Sequence, residues 1–266
     1  MKHIIIAACL AVALSGCKQE TIVKEIEVEQ NKNEYNVQAV LWQQHAAEND
    51  ALYYQGYNTA KLQLDAALEN ILSYKKTLAI ITDIDETVLD NSPYNAKLIK
   101  DDLSYTKESW NEWCQLAQAK PLPGAVSFLN YAASKGVVIF YITNRSTEVK
   151  EVTLKNLQKY NFPFADASHI QLKEDMSNKE PRRQKILDDY EVILYMGDNL
   201  ADFADVFDGN DRNLKAAELA ANFGTKFIVF PNPMYGDWES KGIFEGNMGG
   251  TPMVIDSVRK SKLEGY

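Results

Sequence analysis

Acidic, amide, hydroxyl and cationic side chains gather in four short words of this sequence. Ile80-Ile81-Thr82-Asp83-Ile84-Asp85-Glu86-Thr87 puts two carboxylates two residues apart at the end of an apolar run. In extended backbone both would project from one side, because alternate residues share a face. Tyr141-Ile142-Thr143-Asn144-Arg145 sets a hydroxyl, an amide and a guanidinium after another apolar run. Gly197-Asp198-Asn199-Leu200-Ala201-Asp202 spaces two acids four residues apart, which on a helix start would share a face. Lys179 stands in Asp175-Met176-Ser177-Asn178-Lys179-Glu180. If these words converge, the carboxylates can serve as nucleophile, proton donor and cation ligands. The hydroxyl, amide and ammonium can hold phosphate oxygens.

Each word also has a plainer reading. Asp83 and Asp85 could form an acidic surface turn. A calcium loop is a poorer fit, since its sixth position calls for Gly and here holds Val88. Thr143 and Asn144 are ordinary helix-capping residues. Asp198 and Asp202 suit the positive end of a helix dipole. A lone Lys179 is most simply a solvated surface side chain.

The elements around these words favour convergence. Apolar runs at Thr77 to Thr82, Val137 to Ile142, His169 to Leu172, Glu191 to Met196 and Lys226 to Phe230 predict strands. Between them, helical patterns span Gly124 to Lys135, Thr147 to Tyr160, Lys179 to Asp189 and Asn213 to Asn222. Strands that alternate with helices make βαβ units and a mostly parallel sheet. In such a sheet the residues just past the C-terminal ends of different strands collect along one edge, where ligands bind. Three of the four words fall at that position. Two further helical stretches begin at Glu34, and the segment from Asn91 to Leu122 breaks the alternation; together they suggest a smaller lid beside the sheet.

The chain has 266 residues, a net charge of −9 and 45% hydrophobic residues, enough for a sizeable core. The acidic balance argues against nucleic-acid binding, because a polyanion would be repelled. Met1-Lys2-His3 followed by the short apolar run Ile4 to Leu14 reads as a secretory signal over 1–16. Leu14-Ser15-Gly16-Cys17 resembles a bacterial lipoprotein cleavage box, which implies lipid attachment at Cys17 and anchoring to a membrane through that lipid alone. Lys18 follows in place of Asp, and the sorting rule of enteric lipoproteins then points to the outer membrane, facing periplasm or cell surface. Residues 17–33 are polar and charged and read as a tether, with one domain over 34–266. Cys9 would leave with the signal and Cys17 would be acylated, so Cys114 could form no intramolecular disulfide.

An Asp-x-Asp-x-Thr after the first strand, a Thr after the second, a later Lys and a Gly-Asp-x-x-x-Asp resemble the haloacid dehalogenase superfamily. The words over 83–94, 143–145, 177–179, 197–203 and Pro-Asn-Pro-Met-Tyr-Gly at 231–236 are similar to the bacterial class C acid phosphatases. The likeness runs from about Val37 to Trp238. It implies a three-layer, Rossmann-like α/β core over about 74–93 and 123–245, with a small α-helical lid from about 34–73 and 94–122.

The resemblance also implies roles. Asp83 would be the nucleophile that forms an aspartyl-phosphate, and Asp85 the acid that protonates the departing alcohol. Asp83, Asp198 and the backbone carbonyl of Asp85 would ligate Mg²⁺, with Asp202 supporting from behind. Thr143 and Asn144 would hold phosphate oxygens, and Lys179 would stabilise the transferring charge. Tyr94, Trp110, Trp113, Tyr235 and Trp238 could form a substrate wall or fill the lid core. In the related phosphatases, aromatics matching Trp110 and Tyr235 clamp the base of nucleoside monophosphates, which makes 5′-nucleotides or nicotinamide mononucleotide the expected substrates, with broad tolerance. A second copy of the chain is a candidate partner. Two rival readings keep the fold: a non-catalytic surface lipoprotein that binds a nucleotide or other ligand, and a phosphotransferase using the same site. Phosphohistidine chemistry finds no support in His3, His45 and His169, and Cys114 has Lys120 where a cysteine phosphatase needs Arg six residues on.

Overall fold

Five apolar runs of the chain pair as the parallel strands of one sheet. The computed structural model describes residues 33–266. The expected signal over 1–16, the lipid site at Cys17 and the tether up to residue 32 lie outside the described residues. Helices α1 (Val37–His45) and α2 (Ala47–Glu69) lead into β1 (Thr77–Thr82) and the two-residue β2 (Leu89–Asp90). Helices α3 (Ser92–Lys100) and α4 (Lys107–Gln115) and the short β3 (Lys120–Pro121) follow. Then α5 (Ala125–Ser134), β4 (Val138–Ser146), α6 (Lys150–Lys159), β5 (Ile170–Lys173), α7 (Glu180–Leu187) and β6 (Tyr190–Gly197) alternate. The described chain ends with α8 (Arg212–Glu218), β7 (Phe227–Val229), α9 (Asp237–Ser240) and α10 (Pro252–Ser261).

The strand order is β5-β4-β1-β6-β7. β1 is central, with β4 on one side and β6 on the other, and Thr82 at its end pairs with both Tyr141 and Met196. That register sets the end of β1 beside the end of β6 and beside the last part of β4, which runs on to Ser146. It opens the crevice of an α/β sheet at the point where the order reverses. β1 alternates strictly. Leu78 and Ile80 join one apolar cluster with α2, α5 and α6, and Ala79 and Ile81 join a second with Ile186, Phe203 and Phe207. Burial on both faces explains why the run reads as continuously apolar.

The stretch 34–73, expected as lid, is divided. α1 packs beside α3, whereas α2 lies on the sheet. Its Tyr53, Tyr57, Ala60 and Leu64, four, three and four residues apart, form a buried stripe within the main core. Two of these anchors also hold the loop after β1. The Tyr53 hydroxyl donates to the Glu86 carbonyl at 2.6 Å, and the Tyr57 hydroxyl to the Thr87 carbonyl at 2.7 Å. Tight packing here yields a prediction. A Cβ on Gly56 would meet the Phe230 ring at 2.5 Å. Gly56→Ala gains about 1 kcal/mol of helix propensity, but overpacking a core costs about 1–3 kcal/mol. The melting temperature is expected to fall by a few degrees in a thermal scan; a rise would show that α2 can shift without cost.

The insertion carrying α3 and α4 leaves and rejoins the core through one antiparallel ladder, Leu89 with Pro121 and Asp90 with Lys120. The second strand runs further than its apolar run suggests. β4 continues to Ser146, which pairs with Lys173 past an irregularity after Ile142. Thr143, Asn144 and Arg145 therefore belong to the strand itself and are not a cap after it. Among the described residues, no helix is long and apolar enough to cross a membrane, and Cys114 is buried and free.

Candidate active site

Asp83 is the first residue past β1, and its N–H still donates to the Met196 carbonyl at 2.9 Å. Its carboxylate, that of Asp198 past β6 and that of Asp202 offer oxygens within 4.8 Å of one another. Lys179, buried where α7 begins, bonds Asp83 and reaches Asp202 at 2.7 Å. The four residues come from three separate parts of the chain.

Asp202 stands nearer than expected. The motif after β6 forms a tight 3-10 turn over Leu200–Asp202 in place of an α-helical start. Asn199 caps the turn, and the Asp202 carboxylate accepts the Asn199 N–H at 3.1 Å. Gly197 makes room, since a side chain there would collide with the Asp202 carboxylate. Asp202 thus lies beside Asp83 and Asp198.

Burial sets the electrostatics of this cluster. It pushes the Asp83 carboxyl up to about 7, with Lys179 pulling the other way and Asp202 and Asp85 adding to the rise. Burial, then the charges of Asp202 and Asp83, hold Asp198 well above the usual carboxylate range. Lys179 is pushed down by burial and pulled up more strongly by Asp202 and Asp83, so its ammonium is firmly charged. Were all three carboxylates ionised, they would exceed the one ammonium they face by two negative charges. Among the described residues, the amide of Asn232, at 2.8 Å, is the hydrogen-bond donor to Asp198. A buried excess of that size calls for a cation. All the donors are hard carboxylate oxygens, which suit a hard divalent ion.

The Asp85 side chain points elsewhere. Arg145 Nε and Nη2 donate to its Oδ1 at 3.0 and 2.7 Å, a forked pair with a buried guanidinium. Asn91 Nδ2 donates to the same oxygen at 2.8 Å, and Thr143 Oγ1 lies 3.4 Å from the other. Trp113 Nε1 donates to Asn91 Oδ1 at 2.8 Å and fixes the amide's orientation. The Asp85 carboxylate is therefore held by Arg145 and Asn91, and the residue still lines the same cleft.

Thr143 is buried, accepts the Arg145 N–H at 3.1 Å and faces Asp85. Asn144 is exposed at the cleft, and Arg182 Nη2 donates to its Oδ1 at 2.7 Å. Tyr94 and Trp110 line the cleft edge to face, with centroids 5.1 Å apart. Tyr235 lines it from the opposite chain segment and hydrogen-bonds the buried Glu86 carboxyl. Burial, then the charges of Asp85 and Asp198, push Glu86 well above its usual range. Trp113 faces Asn91, and Trp238 is exposed beside Tyr235, with its Nε1 donating to the Asn232 and Tyr235 carbonyls at 3.2 Å.

The reading from sequence did not assign Arg145, Asn91, Glu86, Arg182 or Asn232. Four of the five sit in or beside the motif words. Arg145 ends Thr-Asn-Arg, Glu86 and Asn91 continue the first motif, and Asn232 lies in Pro-Asn-Pro.

Comparison with known proteins agrees with the geometry. The family model described as HAD superfamily, subfamily IIIB (Acid phosphatase) matches residues 4–238. The structure superposes on that of the class C acid phosphatase from Bacillus anthracis with a TM-score of 0.85 and 42% identity, covering 89% of this chain and 100% of that one. A crystal structure of that enzyme with tungstate bound gives 0.83 and 44%, covering 87% and 98%. A class B acid phosphatase from Proteus mirabilis (strain HI4320) is 27% identical over 58% of this chain and 69% of its own length. A stem 31 kDa glycoprotein from Glycine max is 25% identical over 54% of this chain, and the match spans about half (52%) of that protein.

Proposed function

The chain belongs to the acid phosphatases of HAD superfamily subfamily IIIB, and from that membership we propose that it hydrolyses phosphate monoesters, 5′-nucleotides among them, through an aspartyl-phosphate on Asp83. The observation that carries the reading is the division of labour between two neighbouring acids. Asp83 converges with Asp198, Asp202 and Lys179, while Asp85 is held out on Arg145.

Asp83 attacks phosphorus, and the bond from phosphorus to the leaving oxygen breaks. Asp85 delivers its proton to that oxygen, so an alcohol departs and not an alkoxide. Water then attacks the phosphoryl group on Asp83, Asp85 takes the water's proton, and inorganic phosphate leaves. Arg145 and Asn91 keep the Asp85 carboxyl within reach of both oxygens. Lys179 orients Asp83 and offsets charge building on the phosphoryl oxygens, and Asn144 and the Thr143 segment line their side of the cleft. Asp83, Asp198 and Asp202 would hold Mg²⁺, with the Asp85 carbonyl as a further ligand. The ion when bound screens the dianionic ester from the attacking carboxylate. The tungstate in the similar enzyme, a tetrahedral oxyanion, supports a phosphoryl-shaped site.

Phosphate release from adenosine 5′-phosphate by the chain starting at Lys18 tests this. Stripping divalent ions with a chelator is expected to lower the rate at least about a hundredfold, because charge screening of this kind is worth several kcal/mol. Added Mg²⁺ should restore it. Nucleotide binding with no turnover under any divalent ion would favour the non-catalytic lipoprotein instead. A phosphorylated product on adding an alcohol would favour phosphoryl transfer. Location is part of the same proposal: a lipid on Cys17 would hold the enzyme on the outer membrane. Cys17→Ser should then release activity from the membrane fraction, and activity that stays membrane-bound in this variant would refute the anchor.

A further inference from the structure

The cleft is far larger than a phosphate and its aromatic wall. Its volume is about 890 Å³, near the upper end of the roughly 300–1,000 Å³ seen for whole small-molecule sites. The inner end holds the carboxylates. The outer end is built by segments that meet only in the fold: the turn around Tyr35, α3 with Leu98 and Ile99, and the C-terminal stretch with Met248 and Ile255.

The charged group on that outer side is already neutralised. Arg259 pairs with the Glu239 carboxylate at 2.8 Å, and its guanidinium lies 3.3 Å from the centroid of the Tyr35 ring. Asn95 turns its amide to the Asn91 carbonyl, 3.4 Å away. Beside polar residues such as Asn36 and Ser104, this end presents hydrocarbon from Leu98, Ile99, Met248 and Ile255. A flexible aliphatic chain laid along those four side chains would be desolvated over its length.

On the strength of the phosphoryl-binding role given above to the inner end, we infer that the outer compartment is a subsite for the aliphatic tail of a leaving group, so that single-chain amphiphilic phosphate monoesters are substrates of this site. The head would sit by Lys179 and Asp83, and the tail would pass the Tyr94 and Trp110 rings to reach α10. The C-terminal segment, outside the family match at 4–238, would then determine specificity.

Alkylphosphonates test this without turnover, because their carbon–phosphorus bond is not hydrolysed by this chemistry. Calorimetric titration of the Mg²⁺-loaded chain with methyl-, butyl-, hexyl- and octylphosphonate should show the dissociation constant falling about threefold per methylene beyond butyl. Octylphosphonate should bind on the order of 80-fold more tightly than butylphosphonate, with an increasingly negative heat-capacity change. Met248→Asp and Ile255→Asp alter separate segments. Each should cost octylphosphonate at least about tenfold, as expected for a charge beside several methylenes, and leave methylphosphonate nearly unchanged. Equal affinity along the series overturns the inference, as does a gradient that survives intact in both variants. A gradient in a chain that releases no phosphate from nucleotides supports the subsite and sinks the hydrolase reading alone. Turnover of nucleotides with a flat series sinks only the subsite.

Discussion

Asp83→Asn is expected to cut phosphate release by about 10⁴–10⁶-fold, the scale seen when an enzyme loses its nucleophile, without destabilising the protein. Asn fills the same space and can still accept a hydrogen bond from Lys179, so the loop after β1 keeps its anchors at Glu86 and Thr87. The amide cannot form the acyl phosphate, and no other carboxylate of the cluster ends the central strand. Stability should move the other way. Burial and the neighbouring Asp202 and Asp85 charges push the Asp83 carboxyl up to about 7 despite Lys179, which means its ionised form is held at a cost. Removing that charge should leave the melting temperature in metal-free buffer unchanged or raised, and should weaken Mg²⁺ binding. Rapid-quench assays, calorimetry and a thermal scan read the three effects. Residual activity near the wild-type level would overturn the assignment of the nucleophile.

Asp85→Asn is expected to behave differently on both counts. The loss in rate should be about 10²–10⁴-fold for nucleotides, the usual worth of a general acid. In the first step, read as the burst of leaving-group release, the loss should shrink towards nothing for p-nitrophenyl phosphate, whose leaving group needs no proton, while the later attack of water stays slowed. The same substitution removes the anion that Arg145 was paired with. Arg145 is 2% exposed, and breaking a buried ion pair costs up to about 3–5 kcal/mol. The cost here should fall below that range, since the Asp85 side chain is 17% exposed and the new amide oxygen can still accept a bond. A melting temperature lower than that of Asp83→Asn, together with the leaving-group dependence, would separate acid from nucleophile. Equal losses in that burst on both substrates would remove Asp85 from the role of acid.

These two neighbours also show how far the sequence could be read. The Asp83-x-Asp85 word, its place after an apolar run and the repeat of that arrangement at Thr143 and Asp198 were visible because strand ends in a parallel sheet obey a simple rule. The partner that distinguishes the two acids was not. Arg145 is 60 residues from Asp85, and a guanidinium at the end of Thr-Asn-Arg is as compatible with binding phosphate oxygens as with gripping a carboxylate. Asp202 stands closer to Asp83 than helical spacing suggests, for a local reason. Four-residue spacing suggests one face of an α-helix, but a capped 3-10 turn beside Gly197 swings the carboxylate in towards Lys179.

The helices followed the same division. A stripe such as Tyr53, Tyr57, Ala60 and Leu64 shows that a helix must cover something, and it carries no address; the sheet under α2 supplied it. α10 has no buried residue to mark it as important, yet it closes one end of the cleft.

By itself the sequence determined the local terms: which stretches alternate as strands and helices, where each motif falls along its element, and which side chains carry charge. These follow from bonded geometry and from burial repeating every two or every three to four residues. Only the tertiary structure decided which acids share one cation-sized space, which one is drawn away by Arg145, and what surrounds the far end of the cleft. Those are contacts between residues distant in the chain. Their energies depend on separation and burial in three dimensions, and a linear sequence specifies neither until the chain has folded.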